Sequence, residues 1–167
     1  MTVHLESWSE DDLHVLEITL GDPEMMTYLG GIESPDKLAE RQARFAAMKN
    51  PEAGLMFTVV DDATGEKTGS VGYWEKSWNG DEVYETGWLI ARAFQGRGIA
   101  TEGMRQLIDR LRGSSARRYL HAFPNVDNAP SNAICRKLGF ELLAEHEFEY
   151  PKGSFMRCND WRLDLTK

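Results

Sequence analysis

The amino-acid sequence predicts a mixed α/β fold, one sheet with helices on both faces. Three observations lead there. Residues 83–123 read as strand, glycine-rich turn, amphipathic helix and strand, a step that forms a right-handed crossover and makes part of the sheet parallel. Residues 55–76 hold two β-rich runs around the turn "DDATGE", the pattern of an antiparallel hairpin. The length, 167 residues, fits one domain spanning 1–167, with enough chain to bury a core without disulfide staples.

Taken in order, "VHLESW" alternates and reads as a short strand. Ser9 is placed to cap a helix, with Asp12 in the capping-box position and Leu13, Leu16 and Leu20 as its apolar stripe. "GDP" at 21–23 stops that helix. Ser34 and Pro35 start a second one, with Asp36 in its first turn, and it ends near "KNPEAG". "LMFTVV" and "KTGSVGYWEK" are the hairpin strands, and "NGD" at 79–81 turns the chain into "VYETGWLIA". That strand puts Tyr84, Thr86, Trp88 and Ile90 on one face and Glu85, Gly87 and Leu89 on the other. Ile99, Ala100, Met104, Leu107, Ile108 and Leu111 make the following helix amphipathic. "RRYLHAF" is a strand, and "DNAPSNAICRKLG" is a helix with Pro130 near its start and Gly139 as its terminator. "FELLAEHEFEY" and "FMRCNDWRLDL" close the chain as two strands around a "PKG" turn.

The formal charge of -8 argues against nucleic acid as a partner, because phosphate binding needs a cationic surface. An acidic field favours a cationic small molecule or a basic peptide. "MTVHLESWSEDD" has neither the basic nor the apolar region of a secretion signal, and no apolar run approaches membrane-spanning length. Cys135 and Cys158 lack metal-ligand spacing. A cytoplasmic protein with reduced thiols, no metal and no membrane contact is the expectation.

"FQGRGIATEGM" at 94–104 is the stretch that points to chemistry. A strand running through a glycine-rich turn into a helix presents unpaired N–H groups at the positive end of the helix dipole. Small residues there let a phosphate or pyrophosphate approach the backbone. The stretch lacks the Gly-Lys-Ser/Thr of a Walker loop, and Thr101 stands where a Rossmann fingerprint needs its third glycine. The bland alternative is a tight loop with packing glycines.

The run Gln95-Gly96-Arg97-Gly98-Ile99-Ala100, a Q-x-x-G-x-A pattern, resembles the acetyl-CoA loop of the GNAT acyltransferase superfamily. Asn128-Ala129-Pro130-Ser131 followed by "AICRKLGF" resembles a segment of its RimJ/RimL-like branch, and "DPEMMTYLGG" is similar to the loop between the first two helices there. The resemblance covers nearly the whole chain. It implies a mostly antiparallel mixed sheet with a splayed central strand pair. It also implies direct transfer of an acetyl group from acetyl-CoA to a primary amine, with no metal. The acceptor is a protein N-terminus or a small-molecule amine. Dimers are common among similar proteins, so a homodimer is the assembly to test for.

Carried over residue by residue, the resemblance lays the cofactor's pantetheine arm along Trp88, Leu89 and Ile90 as a pseudo-strand. The motif residue Gln95 belongs to the cofactor loop, and the pyrophosphate rests on the amides of Gly96, Arg97, Gly98, Ile99, Ala100 and Thr101. Asn128 binds the arm near the thiol end. Many family members place an acidic tyrosine where this chain has Cys135, which reads here as a buried small residue. In the RimL-like branch a serine takes that role, and Ser131 matches it. The base is open: Glu85 and His121 rank first, with Asp81, Glu82, Glu147 or a water chain as alternatives. Met25, Met26, Tyr28 and Leu29 with Tyr73, Trp74 and Trp78 are candidates for the acceptor wall, against plain core packing. Two competing readings remain: a non-catalytic CoA-binding module, favoured by Cys135, and an enzyme using another acyl-CoA such as succinyl-CoA.

Overall fold

The computed structural model describes residues 2–114, 116–149 and 152–167. Among these, seven strands form one sheet: β1 (Val3–Ser7), β2 (Gly54–Asp61), β3 (Lys67–Trp78), β4 (Asp81–Ile90), β5 (Tyr119–Ala122), β6 (Glu141–Glu149) and β7 (Phe155–Asp164). Their spatial order is β1-β2-β3-β4-β5-β7-β6. The helices are α1 (Leu13–Thr19), α2 (Pro35–Ala47), α3 (Ile99–Ser114) and α4 (Ala129–Lys137), with a 3-10 turn at Arg92–Phe94. The element order matches the sequence reading. The β4–β5 pair is parallel, as the crossover requires, and the other strand pairs are antiparallel. Pro151 of the "PKG" turn lies outside the described residues.

Strand alternation sorts the core into two layers. Phe57, Val59, Val71, Tyr73, Tyr84 and Ile90 face α3, whose Ile99, Met104, Leu107, Ile108 and Leu111 are buried against them. Each such side chain contributes about 1.5–3 kcal/mol by leaving water. Helix α3 lies close to the sheet because Gly103 has no side chain: a Cβ there would stand 3.2 Å from a Val59 methyl. On the other face, Met56, Trp74 and Leu89 pack with Val15, Leu16, Leu20 and Leu38 of the α1–α2 layer.

The start of α2 is as predicted, with Ser34 Oγ accepting from the Lys37 N–H and Pro35 at the first position. At α1 the Ser9–Asp12 pairing forms, Asp12 reaching back to the Ser9 N–H as in a capping box, but the helix starts later than that pairing predicts. The helix begins at Leu13, and Leu13 is 37% exposed, so the buried stripe is Val15, Leu16 and Leu20. The reason is Asp12. Its carboxylate accepts from the Ser9 N–H at 2.8 Å and the Ser9 hydroxyl at 3.1 Å, while its other oxygen pairs with Lys67 on β3. The buried charge is thereby neutralised, and residues 10 and 11 form a turn ahead of the helix.

The feature that positions the site is the short β4–β5 contact. The two strands share register only at Tyr84↔Leu120 and Glu85↔His121. Beyond that point β4 runs on to Ile90 against β3, while β5 pairs with β7 on its other side. The central strands splay, as the resemblance implied.

Candidate active site

The splay opens into a cleft of about 1700 Å³ that runs from the glycine loop to the loop between α1 and α2. At the loop end, Gly96 and Gly98 have φ of 78° and 76°. A Cβ at either would meet nothing within 4 Å, so these glycines serve left-handed backbone and not close packing. The space in front of them is open, which is what a bound phosphate needs. Gly96, Gly98, Ile99, Ala100 and Thr101 line the cleft. The first intrahelical bond runs from the Glu102 N–H to Gly98 O, leaving the amides before it without helical acceptors. The Gln95 side chain closes the loop, its Nε2 donating to Ile90 O at 2.9 Å. Arg97 is exposed beside the cleft, its guanidinium 5.8 Å from the Phe94 ring centre.

In the middle lies the open edge of β4. Trp88 packs toward the α3 layer and Leu89 toward the α1–α2 layer, so their side chains belong to the two cores. The backbone is what remains for a ligand. The Ala91 N–H donates to Thr68 O on β3 at 2.9 Å. By strand alternation the N–H and C=O groups of Trp88 and Ile90 then point away from β3, and all but the Ile90 C=O, which accepts from Gln95, are left to the gap. Across it, Asn128 caps α4, its Oδ1 accepting from the Ser131 N–H at 3.2 Å. Both residues line the cleft, and the Ser131 hydroxyl makes no hydrogen bond to another described residue. Cys135 is fully buried and burial pushes its thiol up to about 12, so it offers no acid to the cleft.

At the far end, Met25, Met26, Tyr28, Leu29, Trp74, Glu85, Phe123 and Met156 line the wall. Met26 is 2% exposed and Tyr28 37% exposed, so the first is largely core and the second reaches solvent. Tyr73 lies elsewhere: it faces the α3 layer and its hydroxyl donates to Pro51 O at 2.6 Å. The error is one of strand parity, since Trp74 occupies the cleft face. The candidate bases separate. Glu85 lines the cleft, 3.2 Å from the Lys76 ammonium. His121 is buried beside it in register and does not line the cleft; its Nδ1 contacts Asp160 Oδ1 at 2.6 Å. Trp78 also turns inward, Nε1 donating to Asp160 Oδ2 at 3.0 Å. Burial pushes the Asp160 carboxyl up, but the hydrogen bonds from His121 and Trp78 and the nearby histidines outweigh it and hold the carboxyl below its ordinary value. Asp81, Glu82 and Glu147 lie outside the lining.

Lys76, Phe148 and Asp160 escaped the sequence reading. Counting alternate residues along β3 from Trp74 and Trp78 would have put Lys76 on their face. Nothing local marks Asp160 or Phe148. The α1–α2 loop is held by Arg92, which donates to Asp22 at 2.5 Å and to Glu24 at 2.9 Å.

A glycine-rich helix start that opens onto a strand edge left unpaired by its neighbour suits an extended, phosphate-bearing ligand. A family model described as "Acetyltransferase (GNAT) domain" matches residues 2–141. The chain belongs to that family and is an acetyl-CoA-dependent N-acetyltransferase. Solved structures with the same fold include a GNAT-family acetyltransferase from Bacillus anthracis, 16% identical, with TM-score 0.79 over 100% of this chain and 97% of that one. The RimL ribosomal L7/L12 alpha-N-protein acetyltransferase in complex with coenzyme A is 17% identical, with TM-score 0.79 over 98% and 94% of the two chains. The Microcin C7 self-immunity acetyltransferase MccE, in complex with acetyl-CoA and AMP, is 17% identical, with TM-score 0.79 over 97% and 92%. No curated protein sequence matches the chain. Among the described residues, no helix is long and apolar enough to cross a membrane, and no group of His, Cys, Asp and Glu is placed to hold a metal ion.

Proposed function

We propose that the chain binds acetyl-CoA along the splay and acetylates a primary amine entering from the α1–α2 loop end. The acceptor amine is borne by a protein N-terminus or a small molecule. The RimL and MccE structures, bound to CoA and acetyl-CoA, support the donor assignment. The observation that carries the reading is the continuity of one cleft from the positive-φ glycines, past the open β4 edge, to Glu85 and Ser131.

The pyrophosphate rests on the amides from Gly96 to Thr101, and the pantetheine arm pairs with the backbone of Trp88 and Ile90. The acceptor arrives as an ammonium and is not nucleophilic until it loses a proton. Glu85 takes that proton, directly or through one water. The neutral amine attacks the thioester carbon, and a β4 N–H facing the gap stabilises the oxyanion. Collapse of the tetrahedral intermediate breaks the C–S bond, the extra proton on nitrogen passes to the departing sulfur by way of the Ser131 hydroxyl, and CoA leaves as the thiol. His121, held by Asp160, borders Glu85 without touching the substrates.

The test is CoA-thiol release from acetyl-CoA across peptides with varied N-termini and a panel of small amines, repeated with succinyl-CoA. Turnover with acetyl-CoA on a primary amine is expected. CoA binding without release on any acceptor sinks the reading.

A further inference from the structure

Lys76 has no part in the transfer scheme, yet four side chains converge on its ammonium. Glu85 Oε1 is 3.2 Å away. The ring centres of Phe123, Trp78 and Phe148 lie at 5.1, 5.2 and 6.0 Å. The rings brace one another: Trp78 stacks on Phe148 at 5.6 Å, and Phe123 meets both edge-on at 5.0 and 5.4 Å. Asp160 fixes the Trp78 indole from behind. Aromatic faces plus one carboxylate are what an alkylammonium needs when it leaves water.

The box adjoins the transfer cleft: Glu85 and Phe123 line both, while Lys76, Trp78 and Phe148 stand behind them, outside the cleft lining. An ammonium arriving through the cleft meets the same carboxylate and the same ring that Lys76 now occupies. We propose that this box is the ammonium subsite of the acceptor, with Lys76 as its internal occupant, which a primary alkylammonium on an unbranched stem displaces. The stem follows from the occupant: Lys76 is itself a slender alkylammonium. This assignment rests on the acetyl-transfer reading and narrows its acceptor.

The experiment compares the full-length wild type with Lys76→Met and Lys76→Arg, measuring thiol release from acetyl-CoA with linear alkylamines and diamines and with amines branched next to nitrogen. Removing the internal competitor should lower KM for linear amines about five-fold, the upper worth of a partly exposed ion pair. The KM for acetyl-CoA should stay as in the wild type, and Lys76→Arg should keep the wild-type KM for linear amines. In the wild type alone, butyltrimethylammonium, which cannot be acylated, should compete with the amine and not with acetyl-CoA. Equal amine KM in wild type and Lys76→Met, an equal gain for branched amines, or no competition by the quaternary ion overturns the subsite. An acetyl group found on Lys76 by intact-mass and peptide analysis also overturns it, making Lys76 a substrate. Absence of turnover in the wild type with every amine refutes the transfer reading instead.

Discussion

The two ends of the cleft are built in different ways. The donor end is backbone: two positive-φ glycines, the amides that start α3, and the unpaired edge of β4. The proposed acceptor end is side chains, Glu85, Lys76, Phe123 and Phe148, drawn from or just beyond four different strands. A backbone site tolerates change in its side chains as long as its dihedrals survive. A side-chain site is altered by single substitutions that leave the fold alone. Donor chemistry is therefore the durable half of the molecule and acceptor choice the adjustable half.

Substitutions at each end sharpen that contrast. The largest effect is expected at the acceptor end. Glu85→Gln removes the proposed proton acceptor and should lower kcat on the order of 100-fold, the low end for general-base catalysis, with CoA affinity unchanged by calorimetry. At the donor end, Gly98→Val puts a β-branched residue at a φ of 76°. The cost in strain is about 1–3 kcal/mol, so the loop should relax away and CoA should bind about ten-fold or more weakly in a folded protein. Unchanged affinity would remove the pyrophosphate from this loop. Between the two ends, Ser131→Ala should lower kcat by more than it raises the KM for acetyl-CoA if, as proposed, the hydroxyl acts on the leaving thiolate.

The smallest effect is on stability against pH. The Asp160 carboxyl sits below its ordinary value of 3.8 in the fold. A depressed carboxyl contributes stability above its unfolded value, and that contribution is lost as pH falls through the folded one. Asp160→Asn should melt earlier than the wild type at pH 7, and the gap in Tm should narrow as pH drops below about 4. A gap that stays constant with pH would mean that the ionised carboxylate carries no stability.

The same contrast explains what the sequence revealed. Gln95 to Ala100 are contiguous, and the conformation that matters there follows from the glycines themselves, so the donor end is readable as a motif. Element order was readable too, because periodicity and caps such as Ser34-Pro35 act locally. Readings failed where a distant group intervened. The Asp12 carboxylate is claimed by Lys67, 55 positions on, and α1 starts late. His121 is claimed by Asp160, 39 positions on, and stays out of the cleft. Tyr73 and Trp74 are neighbours whose roles turn on which face each takes, and only the register with β4 settles that.

The Arg92 contacts carry one more consequence. This residue opens the 3-10 turn that leads into the glycine loop, and its guanidinium holds Asp22 and the cleft-lining Glu24 of the α1–α2 loop. The two ends of the cleft thus share a mechanical element. If seating one steadies that element, the other binds to a wall whose ordering entropy has already been spent, and thermodynamic reciprocity makes the advantage equal in both directions. Donor and acceptor affinities would then carry one shared coupling free energy, tuned by a single exposed arginine.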